Sequence, residues 1–199
     1  MIALLQINIY FRGMSVPIVN PDKGKLLIAE PFLGDPSFER TVILLTDHNA
    51  DGSVGFVLNR PLDLRMEQVL DEFPDYGPNL FYGGPVQQNN LYYLHNKGEL
   101  IPESEQILPG LFWGGKISAV KEMLQTGIMT ETDIKFFLGY SGWGKDQLAN
   151  EIKENSWMVI SPTVNLLNTN TKTLWKDLLF DLGGDYRLWA NSPSDPILN

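Results

Sequence analysis

At 199 residues, with 43% apolar and 20% charged side chains, the chain is long enough to bury a sizeable core and has a globular composition, which excludes disorder as the dominant state. Its net charge of −9 is spread over both halves, so no basic half exists to neutralise phosphates; direct nucleic-acid binding and docking on anionic lipid are both disfavoured. The absence of cysteine excludes disulfides, thiolate catalysis and cysteine-ligated zinc.

The opening MIALLQINIYFRGMSV lacks the form of a signal peptide, because Gln6 and Asn8 interrupt its apolar run and no basic residue precedes it. No apolar run in the sequence reaches membrane-spanning length, so the cytoplasm is the expected location. We expect an N-terminal extension over residues 1–20, with Met14 as a candidate native start, a domain over 21–190, and an extended tail over 191–199.

KLLIAEPFL, from Lys25, predicts a strand that stops at Pro31. Two β-rich runs, Thr41 to Thr46 and Val54 to Asn59, predict a hairpin around Asp51-Gly52. Val42 to Leu45 are apolar without alternation, which places that strand inside a sheet with both faces covered. Asp63 is positioned to cap a short helix over LRMEQVLDEF, with Met66, Val69 and Leu70 on one face. FYGGPV and NNLYYLH read as two short strands joined by a glycine turn, a hairpin whose glycines serve geometry. GKISAVKEMLQTG predicts a helix striped by Ile117, Val120 and Leu124 and ended by Gly127. IKFFLGYS is a strand, DQLANEIKEN a helix, WMVISP a strand, and TKTLWKDLLFDL a helix facing Leu174, Trp175, Leu178 and Leu179 inward. The order predicts a single α+β domain around one mixed sheet.

Several segments imitate catalytic motifs and fail on a required residue. GLFWGGKI and GYSGWGKD approach the phosphate-binding loop, but Ile117 and Asp146 stand where a hydroxyl must hold magnesium. Ser141 in GYSGW sits like a hydrolase nucleophile, yet Trp143 replaces the second small glycine, and both histidines precede the serine. DHNADG begins like a calcium loop, but Leu58 occupies the place of the bidentate glutamate, and a hairpin turn uses the same residues. His48 and His95 have no second histidine at ligand spacing. The sequence therefore implies neither a metal nor a cofactor.

Read together, DPSFER, NRP, GGPV, LYYLH, GYSGW and NSWMVI, in this order and running from about Gly24 to near Leu182, resemble the AlgH/YqgE family. The resemblance implies a cytoplasmic bacterial protein with a mixed sheet, part of it curled into a small barrel, and helices packed around it. It implies no established enzyme activity; members are described as uncharacterised or as proposed transcriptional regulators. The matching positions are Asp35, Pro36, Phe38 and Arg40; Asn59, Arg60 and Pro61; Gly83 to Val86; His95; and Gly139, Tyr140, Gly142 and Trp143. One departure is LFWGG before Lys116, where many members carry a Thr-Thr-Ser-like run.

Charges such as Arg40, Arg60 and Asp35 must pair or face a ligand when partly buried. They either pair with each other, or the two arginines face the Gly83-Gly84 turn and form an anion site with its amides. The candidate binding cleft comprises Arg40, Asn59, Arg60, Gly83, Gly84, Pro85, His95, Tyr140 and Trp143. The leading expectation is a non-enzymatic protein acting through a protein partner or a small anionic effector. The alternatives are a DNA-binding regulator with its few cations gathered on one face, and an enzyme on an anionic metabolite with Arg40 or Arg60 as clamp and His95 as acid or base.

Overall fold

The computed structural model describes residues 19–193 except 72 and 75, so most of the expected N-terminal extension, including Met14, and most of the expected tail fall outside the described residues. Strand β1 (Leu26–Ala29) is followed by the hairpin of β2 (Val42–Asn49) and β3 (Gly52–Val57). Its register closes Asn49 on Gly52 around Ala50-Asp51, and the Asn49 side chain accepts the Asp51 amide at 2.8 Å. DHNADG is thus a hairpin turn. As the unbroken apolar run predicts, β2 lies between β1 and β3, with Val42 to Leu45 fully buried.

The remaining strands are β4 (Phe81–Tyr82), β5 (Val86–His95), β6 (Ser104–Leu108), β7 (Leu111–Gly114), β8 (Ile134–Gly144) and β9 (Trp157–Ile160). They order as β6-β7-β5-β8-β3-β2-β1-β9, with β4 also on β8. The β4–β8 pair is parallel and makes the sheet mixed; the other pairs are antiparallel. The sheet curls until its β6–β7 end comes round to the start of β1. There Gly24, at φ +84°, leaves no room for a side chain: a Cβ would sit 2.6 Å from Leu108 Cδ2 and 3.3 Å from the Ile107 carbonyl oxygen.

The half-barrel encloses Leu26, Ile28, Leu44, Phe56, Leu94 and Phe137, and helix α3 (Leu174–Leu182) packs onto this core through Leu174, Trp175, Leu178 and Leu179. Each of those side chains contributes about 2 kcal/mol by leaving water. Helix α1 (Ile117–Gln125) covers the other face of β5 and β8, setting Val120 and Met123 against Tyr93 and Phe136. Helix α2 (Gln147–Lys153) closes a third cluster through Leu148, with Trp143 and Trp157.

Four elements depart from expectation. LRMEQVLDEF forms one 3-10 turn, Met66–Gln68, capped at Arg65 and not at Asp63. The cause is tertiary: Leu62 and Leu64 are tied to Leu80 by backbone hydrogen bonds of 2.8 and 2.9 Å, which holds the would-be first turn extended. The β6–β7 hairpin around Pro109-Gly110 and the short helix α4 (Tyr186–Ala190) have no counterpart in the sequence reading. FYGGPVQQNNLYYLH is also not a hairpin, because β4 and β5 pair with β8 and not with each other.

Candidate functional site

The register explains what the glycines do. β4 runs parallel along one side of β8, pairing Phe81 with Phe137, while β5 runs antiparallel along the other, pairing Val86 with Tyr140. Gly83-Gly84-Pro85 carries the chain across β8 from one side to the other. A side chain at Gly84 would enter the backbone of Tyr140 and Ser141, and one at Gly139, at φ +72°, would lie 2.5 Å from the Gly84 carbonyl oxygen. The Gly83 amide donates to Leu138 O at 2.8 Å, and Gly83 O accepts from the Val57 amide at 3.0 Å and from Ser141 Oγ at 3.1 Å. Ser141 is therefore a buried strand residue bonded to a carbonyl, and no nucleophile elbow forms. Nearby, Pro85 O accepts from the Gln88 side chain, and Tyr140 packs edge-on against Tyr92.

The arginines bind their own chain. Arg60 donates from Nη1 to Pro36 O and Ser37 O, both at 2.9 Å, and from Nη2 to Glu39 O at 3.0 Å, with its guanidinium 6.0 Å from the Tyr82 ring centroid. Asn59 staples the same loop, accepting the Val42 amide at 2.9 Å and donating to Arg40 O at 3.0 Å. Arg40, at φ +51°, donates to Ser192 O at 2.9 Å and to Pro193 O, and lies 5.2 Å from the Trp175 ring centroid. Asp35 caps its own turn through the Ser37 amide, and neither arginine is within ion-pair distance of it among the described residues. Phe38 of this loop stacks on Trp143, whose indole N–H donates to Glu151 at 2.8 Å; Trp157 donates to the same oxygen at 2.7 Å.

His95 stands apart. It pairs with Ile134 at the other end of β8, six residues from the Val86–Tyr140 pair, or about 20 Å along the strand. It is fully buried and accepts the Lys97 amide at Nδ1 (3.2 Å), which leaves the proton on Nε2 for Gly114 O (3.0 Å) beside Ser104 Oγ (3.1 Å). Burial holds its pKa below the ordinary histidine range, with the Gly114 bond opposing. The structure thus gathers Arg40, Asn59 and Arg60 on the 35–41 loop, near Trp143 and the glycine crossing, and leaves His95 outside that group.

A wide cleft lies elsewhere, at the mouth of the half-barrel. It encloses about 560 Å³ between the start of β1, the β6–β7 turn and the segment 161–167, with Leu108, Leu111 and Leu166 supplying apolar walls. Its cation is Lys25, whose Nζ donates to Ser161 Oγ at 2.9 Å. Among the described residues, no carboxylate comes within 4.0 Å of that ammonium; the ion pairs there are Lys97–Asp133 and Lys116–Glu103. Asp133, near this end, is already engaged. Burial pushes its carboxyl up, but bonds from Thr130 and Asn96 and the charge of Lys97 outweigh this and hold it below the usual carboxylate range.

Behind the Leu166 wall lies a second lysine. Lys135 is only 4% exposed and points to the barrel side of β8 together with Phe137. Its Nζ donates to Leu166 O at 3.4 Å and sits 4.6 Å from the Phe81 ring centroid, and desolvation pulls its pKa down to about 8. The sequence reading missed both lysines. The signal for Lys135 was a charge inside the apolar strand IKFFLGYS, where a long basic side chain has no water to reach.

The AlgH-like family model matches residues 26–187. A UPF0301 protein of Cytophaga hutchinsonii is 41% identical over 179 residues, which cover 89% of this chain and 98% of the relative. One of Parabacteroides distasonis is 42% identical over 184 residues, 91% and 93% of the two chains. Among solved structures, the AlgH protein of Pseudomonas aeruginosa aligns with a TM-score of 0.68 at 27% identity, over 92% of this chain and 98% of its own. A Corynebacterium diphtheriae protein shares the fold with a TM-score of 0.73 at 21% identity, over 86% and 93%.

Proposed function

This chain belongs to the AlgH-like family, and within that fold we propose that it is a non-enzymatic binding protein that receives a small organic anion at the barrel mouth beside Lys25. The supporting observation is the pairing of a cleft of about 560 Å³ with an ammonium that has only a serine hydroxyl as its polar partner among the described side chains. Barrel mouths with apolar walls and a few convergent polar groups are common ligand sites. A carboxylate on Lys25, with its carbon skeleton against Leu108, Leu111 and Leu166, would use both parts of the cleft. Any regulatory effect then runs through occupancy of this site, because a net charge of −9 opposes contact with nucleic acid.

The test is a thermal-shift panel of small mono- and dicarboxylates and phosphate monoesters, with a short DNA duplex as control. An anion at a hundred times its dissociation constant stabilises the fold by about 2.7 kcal/mol. Lys25→Met should remove that shift, and Arg60→Ala should leave it in place. A shift that survives Lys25→Met, or a panel that gives none, overturns the reading.

A further inference from the structure

We propose that Lys135 is a carbonyl-capturing lysine, whose amine forms an imine with a small oxo acid held at the barrel mouth by Lys25; this rests on the anion-binding reading of that mouth. Three features of its placement carry the argument. Lys135 projects to the barrel side of β8, opposite Leu94 near the end of β5, and Asn96, just past the end of that strand, helps to line the mouth. Its surroundings are a phenyl ring, the Leu166 carbonyl oxygen and aliphatic core, with no carboxylate within ion-pair distance among the described residues. Leu166, whose carbonyl oxygen takes its hydrogen bond, is itself a wall of the cleft, so the amine is in direct contact with a residue that lines the cavity.

A buried lysine of purely structural use commonly pairs its ammonium with a carboxylate. This one is held in an apolar site by one long hydrogen bond, and such desolvation is how proteins make an amine nucleophilic near neutral pH. The chemistry balances with the groups present. The neutral amine adds to the carbonyl carbon of the oxo acid; nitrogen gives up both of its protons to the former carbonyl oxygen, which leaves as water, and a C=N bond remains. Lys25 answers the carboxylate. No oxidant, reductant or metal enters the step, and hydrolysis reverses it.

The experiment uses the full chain with glyoxylate and sodium cyanoborohydride at neutral pH, read by intact mass and peptide mapping. The expected result is one carboxymethyl adduct per chain, on Lys135, at a glyoxylate concentration that leaves exposed lysines largely unmodified. Lys25→Met should slow that adduct at least tenfold, while Lys135→Met and the charge-preserving Lys135→Arg should abolish it. Adducts scattered over exposed lysines with Lys135 unmodified overturn the proposal. A parallel melting measurement with glyoxylate and no reductant separates the two readings. A shift retained in Lys135→Arg beside an unmodified Lys135 in the parent chain removes capture and keeps anion binding; no shift together with no adduct removes both.

Discussion

Both the loop around Arg40, Asn59 and Arg60 and the barrel mouth around Lys25 and Lys135 place cations near the core, yet they treat those cations in opposite ways. Arg60 directs its guanidinium at three backbone carbonyls of the 35–41 loop, and Arg40 at the backbone of Ser192 and Pro193. At the mouth, Lys25 has one neutral hydroxyl and Lys135 one distant carbonyl. A guanidinium, with five donors in a planar fork, fastens irregular backbone that no sheet ladder satisfies. An ammonium with few partners is a standing cost in folding, and function is one reason for such a cost to persist.

The largest effect is expected where the arginine region adjoins the glycine crossing. Gly84→Ala drives a methyl group into the Tyr140 and Ser141 backbone at a φ of +152°, so it should destabilise the fold by about 4 kcal/mol in urea unfolding. A loss below about 1 kcal/mol would mean that β4 and β5 can separate from β8. Arg60→Ala leaves Pro36 O, Ser37 O and Glu39 O without their donor, and should cost about 3 kcal/mol while leaving anion binding at the mouth intact. Lys135→Met should act in the opposite direction and stabilise the fold at pH 7 by about 2 kcal/mol. Its sign has a pH signature. The folded amine gives up its proton at about pH 8, whereas the unfolded one does so near 10.5. Parent stability therefore rises across that window, as the buried charge disappears from the native state first, and the advantage of Lys135→Met should shrink in step. Urea unfolding at pH 7 and pH 10 reads this; an advantage equal at both values would assign the effect to packing.

The elements that were legible in the sequence share a local cause. The β2–β3 hairpin carries its own turn residues and an unbroken apolar strand, and α3 shows its inward stripe in four residues. The family resemblance supplied the partly closed barrel, which local pattern does not encode. What escaped reading depends on distant partners. LRMEQVLDEF has a helical pattern that Leu80 overrides through Leu62 and Leu64, and FYGGPVQQNNLYYLH resembles a hairpin until β8, some fifty residues later, takes both strands. The site followed the same rule. Arg40 and Arg60 were identified as charges needing partners, but that those partners would be carbonyls of their own chain is set by loop shape. Lys25 and Lys135 gain their meaning from the curl that brings β6 and β7 round to Gly24.

Because β8 holds β3, β4 and β5 together, the order in which a ribosome releases the chain matters. Until Ile134 to Gly144 emerge, β1, β2 and β3 can pair among themselves and the end of β5 can pair with β7, but β4 and the rest of β5 lack the strand that takes them, and β9 must still arrive to cover the outer edge of β1. Such distant pairing slows folding and leaves apolar strand edges open for much of synthesis. The segment 161–167 is made later still, so the mouth is completed after the strands that frame it. An occupant of the mouth can then select the finished barrel but cannot template it.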